Sequence, residues 1–282
     1  MGNSEKAGQA VDPKLKHVYY FAMQPISQML SVLDLVPFGQ TAHGPRFYAL
    51  RLSHPQWAEW HPGQFLMLRP QSFGLEIPWG RPLCICHLTT RHLICFFEVK
   101  GRGTERMANL SPGDNVEAWG PLGNWFDMET EKPTLIVAGG MGIAPFVGYV
   151  NRHPKPWNMT MLFGHRQPLG CYPVDSINEH IPVDSLREDK EGDLDNFIFS
   201  IQERMRDCAE QEGLTLACGP EPFLRTVQKF AIEFGSRCQL SLEKRMACGV
   251  GACLGCVTKT RDGRLLQTCW HGSIFDADKI II

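Results

Sequence analysis

The stretch Glu-Lys-Arg-Met-Ala-Cys-Gly-Val-Gly-Ala-Cys-Leu-Gly-Cys occupies residues 243–256, and a further cysteine follows at position 269. Cys248, Cys253 and Cys256 have the C-x4-C-x2-C spacing of a plant-type [2Fe–2S] site, and Cys269 completes a set of four thiolates. The glycines between the cysteines allow a tight loop to turn its backbone N–H groups toward negatively charged sulfurs. The stretch therefore predicts an iron–sulfur cluster.

Two other interpretations of the four cysteines stay open. A four-cysteine zinc site usually combines two closely spaced pairs, whereas three of these cysteines are grouped and one is separate. Structural cysteines without a metal are the simplest interpretation, but they do not require so many glycines between them. The spacing favours iron–sulfur, and the alternative from another class of protein is a non-redox, zinc-stabilised binding module.

Length and composition exclude several functions. The chain has 282 residues, enough for about two domains, with 43% hydrophobic and 21% charged residues. Its net charge of −2 argues against broad nucleic-acid binding, and it has no apolar run of membrane-spanning length. Residues 1–16 are polar and have no apolar segment, so we expect no secretory leader. Eleven cysteines, an odd number, fit a reducing cytoplasm better than a disulfide framework. We therefore expect a cytoplasmic protein that binds neither nucleic acid nor membrane.

The chain divides into four predicted units. Residues 1–28 are an N-terminal arm, and the short strands of residues 29–130, separated by Gly and Pro, indicate an antiparallel β-barrel. Strands alternate with helices in residues 131–237, which indicates a parallel α/β domain. Residues 238–282 form a small module around the cysteines.

Two segments of the predicted α/β domain follow strands, at the sheet edge where α/β proteins bind ligands. They are Gly139, Gly140, Gly142, Ala144 and Pro145 after one strand and Cys218, Gly219 and Pro220 after another. Glycines before a helix let a phosphate approach backbone N–H groups. Taken alone, a plain tight turn explains the first segment equally well, and a buried core thiol explains Cys218 better.

Two basic turns lie in the predicted barrel. Arg81-Pro82-Leu83-Cys84 offers a guanidinium for bidentate contacts to a pyrophosphate, and residues 100–104 add glycines and a hydroxyl for the same group. Each turn alone is more simply an ordinary basic turn.

The order of these motifs resembles the ferredoxin–NADP reductase superfamily. Its pattern runs R-P-[LYF]-[ST], G-x-G-T, G-G-x-G-x-A-P, C-G-P and then C-x4-C-x2-C with a distant fourth cysteine. The stretch 243–256 and the sequence Cys-Trp-His-Gly-Ser-Ile-Phe-Asp-Ala at residues 269–277 are especially similar to electron transfer subunits of NAD-dependent dihydroorotate dehydrogenases. The resemblance covers about residues 29–282.

The resemblance implies a flavin-binding antiparallel β-barrel, a nucleotide-binding α/β domain and a C-terminal [2Fe–2S] module. FAD would be held by Arg81, Pro82, Leu83, Cys84, Glu98, Val99, Lys100, Gly103 and Thr104. Residues 139–145 and 218–220 would face NAD(H). The cluster ligands would be Cys248, Cys253, Cys256 and Cys269.

The function that the resemblance implies is electron transfer in pyrimidine biosynthesis. Electrons would pass from FMN on a separate catalytic subunit through the cluster and FAD to NAD+. FAD is expected between the cluster and NAD+ because hydride transfer moves two electrons at once, whereas a cluster accepts one at a time. No catalytic acid or base is expected in this chain. The same layout occurs in reductases that serve a hydrogenase, a sulfite reductase or ferredoxin, which is the alternative.

Three positions depart from the superfamily pattern. Cys84 replaces a Ser or Thr whose hydroxyl is expected near the flavin, and a thiol is a weaker donor. His165 and Arg166 follow a strand at a place the family often uses against adenosine. Residues 171–212 are acidic and glycine-poor where the family has an Asp-Gly stretch. Carboxylates there would repel a 2′-phosphate and favour NADH, although we expect a solvated loop away from the ligand.

Overall fold

Residues 25–282 are described by a computed structural model. The predicted arm, residues 1–28, lies mostly outside the described residues. Its last residues belong to the first strand, β1, which extends over Ile26–Phe38. The boundary placed after residue 28 falls inside a strand, because residues 26–31 already pair with a later strand of the same sheet.

Seven strands form an antiparallel sheet in the first part of the described chain. They are β1, β2 (Phe47–Ser53), β3 (Phe65–Pro70), β4 (Arg81–Cys84), β5 (His87–Leu88), β6 (His92–Glu98) and β7 (Asn115–Leu122). Their spatial order is β4-β3-β7-β1-β2-β6-β5. The two short edge strands, β4 and β5, do not pair with each other, so the predicted antiparallel barrel is a curled half-barrel.

Alternating side chains fill the inside of this half-barrel. Leu50 and Leu52 of β2 are fully buried, whereas Arg51 between them is exposed. Leu66 and Leu68 on β3 follow the same period of two and join the same core. The helix α1 (Arg102–Met107) connects β6 to β7. The half-barrel thus presents β3 and β4 at one edge, where the flavin-site residues were predicted.

A six-stranded sheet follows. Its strands are β8 (Thr134–Gly139), β9 (Met159–His165), β10 (Val183–Arg187), β11 (Leu214–Cys218), β12 (Arg237–Ser241) and β15 (Ile274–Asp276). The helices are α2 (Ala144–Arg152), α3 (Asp175–Asn178), α4 (Asp193–Glu210) and α5 (Glu221–Glu233). The order is β10-β9-β8-β11-β12-β15, with only β15 antiparallel. The first five strands confirm the predicted parallel α/β sheet.

The acidic segment at residues 171–212 is not a solvated loop, and that interpretation was wrong. It contains α3, the edge strand β10 and the 18-residue helix α4. Helix α4 buries Phe197, Ile201, Met205 and Cys208 at the three- and four-residue spacing of one helical face. The absence of glycine within 193–210, which made the segment atypical for the family, suits a long helix.

The C-terminal unit shares strands with the α/β sheet. Its own elements are β13 (Val257–Thr260), β14 (Leu265–Gln267), β16 (Ile280–Ile281) and α6 (Thr268–His271), with strand order β14-β13-β16. The boundary predicted between residues 237 and 238 lies inside β12, and β15 returns to pair with β12. The module 238–282 is therefore interleaved with the sheet rather than appended to it. Within residues 25–282, no helix is long and apolar enough to cross a membrane.

Asn124 joins the half-barrel to the C-terminal unit. Its Nδ2 donates to the carbonyl oxygen of Ile274 at 2.7 Å, and its Oδ1 accepts from the backbone N–H of Ile274 at 2.8 Å. Its own backbone N–H donates to the carbonyl oxygen of Gly272 at 2.6 Å. One side chain thus satisfies both backbone polar groups of a residue in β15, as a neighbouring strand would.

We expect Asn124→Ala to lower the free energy of unfolding by about 2–3 kcal/mol, because it leaves the buried N–H and C=O of Ile274 without partners. Urea unfolding of the cofactor-loaded protein measures this change. Asn109→Ala is the matched control, since the Asn109 side chain donates to the carbonyl oxygen of Glu105 at an exposed position, and its effect should stay within about 0.5 kcal/mol. Equal effects of the two substitutions would contradict the assigned role.

Candidate functional site

The two basic turns predicted to bind the flavin pyrophosphate are in contact. Arg81 begins the edge strand β4, and its guanidinium lies directly on Gly103, where a Cβ atom would come within 2.2 Å of Nε and 2.6 Å of Nη2. Arg81 Nη1 donates to the carbonyl oxygens of Trp79 and Gly80 at 3.0 and 3.2 Å. The glycine makes room for the guanidinium, and the carbonyl oxygens hold it in place.

The remaining predicted flavin residues adjoin this pair. Pro82, Leu83 and Cys84 continue β4, while Glu98 ends β6 and Val99 and Lys100 lead into the turn before α1. Thr104 Oγ1 accepts hydrogen bonds from the backbone N–H groups of Lys100 and Gly101 at 2.9 and 3.2 Å. Its hydroxyl therefore shapes the turn, in addition to the ligand role predicted for it. The cradle at Gly103 and the guanidinium above it fit a diphosphate.

The two glycine segments of the α/β domain also meet. Gly139 ends β8, a 3₁₀ turn covers Gly140–Ile143, and α2 begins with Ala144 and Pro145. A Cβ atom on Gly142 would lie 2.0 Å from the carbonyl oxygen of Cys218, so only glycine permits this approach. Gly219 and Pro220 follow Cys218 at the start of α5, and Pro220 Cδ lies 3.3 Å from the Cβ position of Gly139. Both segments therefore line the same carboxyl edge of the sheet.

Cys84 and Cys218 bring the flavin segment and the nucleotide segment together. Burial raises the pKa of the Cys84 thiol well above its usual range, and the nearby thiols of Cys86 and Cys218 raise it further. Burial also raises the pKa of Cys218 to about 12, although a hydrogen bond with Ser241 opposes the shift. Both thiols are therefore neutral at physiological pH, so Cys84 can act there only as a weak neutral donor or acceptor.

We expect Cys218 to resist iodoacetamide at pH 8. A pKa of about 12 means that the thiolate forms only as the pH rises toward that value. The reactive fraction at pH 8 is then roughly one part in ten thousand. Mass spectrometry after a short treatment measures the modification, and the urea-unfolded protein is the control in which Cys218 should react readily. Rapid labelling of Cys218 in the folded protein would contradict the assignment.

The cysteine loop turns backbone N–H groups toward its thiols. The N–H groups of Val250 and Cys253 each lie 3.4 Å from Cys248 Sγ. The N–H of Gly251, which has a φ of +78°, donates to Cys269 Sγ at 3.1 Å. The N–H of Cys269 donates to Cys256 Sγ at 3.4 Å. This is the arrangement that a negatively charged iron–sulfur cluster requires.

The pKa values of two thiols in this loop, those of Cys248 and Cys269, differ strongly. Burial opposes ionisation of Cys248, but hydrogen bonds from the backbone N–H groups of Val250 and Cys253 lower its pKa to about 7. Burial and the adjacent Cys256 raise the pKa of Cys269 to about 12. Cys253 is exposed, whereas Cys256 and Cys269 are buried, and none of the four forms a disulfide. The loop thus has an exposed side and a side packed on the protein.

The half-barrel supports the buried side of this loop, which the sequence did not predict. Cys256 and Cys269 pack in one cluster with Phe65 and Met67 of β3 and with Leu122 of β7. In addition, Trp119 Nε1 donates to the carbonyl oxygen of Cys248 at 2.9 Å. The only sign of this support in the sequence is Trp119, an aromatic residue at an outward-facing position of β7.

Comparison with known proteins identifies the loop. Residues 243–281 match the family model described as the iron-sulfur cluster binding domain of dihydroorotate dehydrogenase B. The electron transfer subunit of dihydroorotate dehydrogenase B (NAD(+)) from Listeria innocua is 32% identical over 249 residues, covering 86% of this chain and 95% of that protein. The chain belongs to this family of electron transfer subunits. The corresponding subunit from Caldanaerobacter subterraneus is 30% identical over 224 residues, covering 78% of this chain and 87% of that protein.

Solved structures confirm the reductase-like fold. The NADH-dependent reduced ferredoxin–NADP oxidoreductase structure gives a TM-score of 0.73 at 21% identity, covering 89% of each chain. The ferredoxin–NADP+ reductase from Plasmodium falciparum gives a TM-score of 0.58 at 14% identity, covering 73% of this chain and 89% of that chain.

The solved structures confirm the predicted fold class. The family membership confirms the predictions of an oxidoreductase subunit and of FAD, [2Fe–2S] and NAD as cofactors. They also favour the iron–sulfur interpretation over the zinc-stabilised module. An electron transfer subunit implies a catalytic partner subunit. The roles of the single residues stay predictions.

Proposed function

We propose that this chain transfers electrons between a catalytic dehydrogenase subunit and NAD by way of the [2Fe–2S] cluster and FAD. One observation carries the proposal. Phe65 of β3 packs against the cluster cysteines Cys256 and Cys269, and the same residue is the strand partner of Cys84 in the predicted flavin segment. The predicted cluster and flavin sites therefore meet at a single residue.

The predicted nucleotide site also adjoins the flavin segment. Cys218 contacts the same core cluster as Cys84, and it ends the strand beside the Gly142 turn. The flavin segment thus packs beside elements of both the predicted nucleotide site and the predicted cluster site. FAD, when bound, supplies the exchange between two-electron hydride transfer and one-electron transfer.

The residues of this chain would bind and orient the cofactors. Arg81 and Gly103 would hold the diphosphate of FAD, with Cys84 near the reactive ring. The turn at Gly142 would receive the phosphates of NAD, where backbone N–H groups at the beginning of α2 favour an anion. In the cluster loop, backbone N–H groups would stabilise the sulfurs of Cys248, Cys256 and Cys269 when they bind the cluster.

The partner would be an FMN-containing dihydroorotate dehydrogenase subunit, acting in pyrimidine biosynthesis. The exposed side of the cluster loop supports a contact there, because Val250, Cys253 and Leu254 are all exposed beside the cluster ligands. A cytoplasmic location stays a prediction. A hydrogenase, a sulfite reductase or ferredoxin as the partner is the alternative, which copurification distinguishes.

A visible spectrum of anaerobically purified protein, before and after NADH, tests the relay. Flavin absorbance that bleaches together with reduction of the cluster supports it. A colourless protein that contains zinc would refute it. Mixing with the candidate catalytic subunit tests the partner, since oxidation of dihydroorotate with reduction of NAD+ should occur only when both subunits are present.

A further inference from the structure

One side chain, that of Trp119, touches both the predicted cluster site and the predicted flavin site. Its neighbours Ala118 and Gly120 on β7 are buried, whereas Trp119 itself is half-buried on the outer face of the strand. Its Nε1 donates to the carbonyl oxygen of Cys248 at 2.9 Å. The other end of the indole lies on Gly80, where a Cβ atom would come within 2.7 Å of Cη2 and 3.3 Å of Cζ3. The indole therefore connects the cluster loop with the residue that precedes β4.

Gly80 belongs to the backbone that positions the predicted diphosphate-binding guanidinium. Its carbonyl oxygen accepts a hydrogen bond from Arg81 Nη1 at 3.2 Å, and the carbonyl oxygen of Trp79 accepts from the same atom at 3.0 Å. The guanidinium held in this way covers Gly103. Because the indole of Trp119 packs on Gly80, it helps to set where the Arg81 side chain lies.

The contact between the indole and Gly80 has little room for adjustment. A Cβ atom on Gly80 would also lie 3.1 Å from the carbonyl oxygen of Leu68, so this residue is confined by the indole and by the backbone of β3. Trp79, Gly80, Trp119 and Cys248 together line one groove of about 340 Å³. Since an indole is planar and rigid, a shift at its N–H end also moves the ring that packs on Gly80.

We propose that Trp119 is a positioning residue that couples the cluster loop to the flavin diphosphate site, so that FAD is bound more tightly when the cluster is present. This inference rests on the proposed cluster and flavin sites. When the four cysteines hold a cluster, the loop is restrained at Cys248, and so is the carbonyl oxygen that binds the indole. The indole then restrains Gly80 and Arg81 before FAD binds. A site that one ligand has already ordered costs less to order for a second, and linkage makes the effect reciprocal.

Release of FAD from the full chain, with and without the cluster, tests this coupling. Cys253→Ser supplies the cluster-free form, and both forms carry the flavin at saturating FAD. After dilution, the rise of flavin fluorescence measures the rate at which FAD leaves. We expect release from the cluster-free form to be about three- to tenfold faster, the range that one hydrogen bond predicts. Val250→Ser changes an exposed residue of the same loop, keeps the four cysteines and should release FAD at the wild-type rate.

Trp119→Phe, made in both the cluster-containing and the cluster-free chain, assigns the coupling to the indole. The substitution removes the N–H donor to Cys248 and the outer ring that packs on Gly80. We expect the ratio of the two release rates to fall to about one, because a double-mutant cycle isolates the interaction between two sites. A merely structural role would speed release equally in both forms and keep the ratio. Trp157→Phe is the matched control, since Trp157 is 72% exposed on a turn of the α/β domain.

Gly80→Ala tests the same contact from the flavin side. Its Cβ atom would press on the indole, at 2.7 Å from Cη2, although the substitution changes no cysteine. By reciprocity we expect the variant, at saturating FAD, to lose its cluster absorbance to an iron chelator severalfold faster than the wild type. Gly170→Ala adds the same methyl group with no atom within 4 Å of the new Cβ, and it should lose the cluster at the wild-type rate.

Two results would overturn the inference and leave the proposed electron-transfer function intact. Equal rates of FAD release from the wild type and from Cys253→Ser would show that the two sites are independent. An unchanged ratio in Trp119→Phe would show that the coupling does not pass through the indole. A wild-type chain that carries neither flavin nor cluster would remove the inference together with the proposed function. Reduction of FAD by NADH in the same preparation distinguishes these cases, because it reports the proposed function independently.

Discussion

Replacing Cys253 with serine is expected to remove the iron–sulfur cluster and leave FAD bound. Cys253 is one of the four predicted ligands and the only one of them that is exposed. Its substitution therefore removes a thiolate without creating a cavity, and the free energy of unfolding of the apoprotein should change by no more than about 0.5 kcal/mol. The flavin segment at Arg81 and Gly103 belongs to β4 and α1 and contains none of the four predicted ligands, so FAD should stay bound. Visible absorbance and iron content measure the cluster, and extracted flavin measures FAD.

Val250→Ser is the matched control for this experiment. Val250 is exposed on the same loop, and only its backbone N–H contacts a thiol, so the variant should keep both the cluster and FAD. Cys256→Ser is a less specific test, because Cys256 is buried against Phe65 and Met67 and its loss also disturbs packing. A Cys253→Ser protein that loses cluster and flavin together would contradict the assignment of the two cofactors to separate segments.

Sequence patterns predicted the strands and helices that have strong local signals. The apolar run at residues 134–138 became β8, and Leu214–Cys218 became β11, because an uninterrupted apolar run suits a strand buried on both faces. One of the helices expected between the strands of residues 131–237 extends over Glu221–Glu233, and its Leu224, Val227 and Phe230 are buried on one face. In each case the local preference and the tertiary environment agree.

Features that depend on distant pairing were not predictable. The boundary after residue 237 was misplaced because the partner of β12 on its outer side, β15, is more than thirty residues away and has no local signal. The helix Asp193–Glu210 was missed because its charged residues outnumber the four buried residues that define its apolar face. Composition dominated that interpretation, although the periodicity was present.

The candidate site was predictable in its residue types and not in its surroundings. Motif order led to Arg81, Gly103, Gly142 and Cys218, and the fold brings them together in two contacting pairs. The support that Met67 and Trp119 give the cluster loop comes from neighbouring strands. Strand neighbours are set by the topology of the sheet, which no local spacing in the sequence encodes.

Substituting Gly142 with alanine is expected to impair reduction by NADH much more than flavin binding. A Cβ atom at this position would lie 2.0 Å from the carbonyl oxygen and 2.3 Å from the carbonyl carbon of Cys218. These are backbone atoms in a buried sheet, so the turn itself must move, at a cost of about 1–3 kcal/mol. A displacement of about 1 Å in a positioning element can slow a reaction about 100-fold. Stopped-flow bleaching of the flavin by NADH measures the rate, and extracted FAD measures occupancy.

Gly170→Ala is the control for Gly142→Ala, because it adds the same methyl group in the same domain with no atom within 4 Å of the new Cβ. It should reduce the flavin at the wild-type rate. Reduction of both variants by dithionite should be unimpaired, since dithionite does not use the nucleotide site. If Gly142→Ala accepted electrons from NADH as rapidly as the wild type, the turn would not contact the nucleotide. The positions of Gly139 and Cys218 beside it would then reflect packing of the sheet alone.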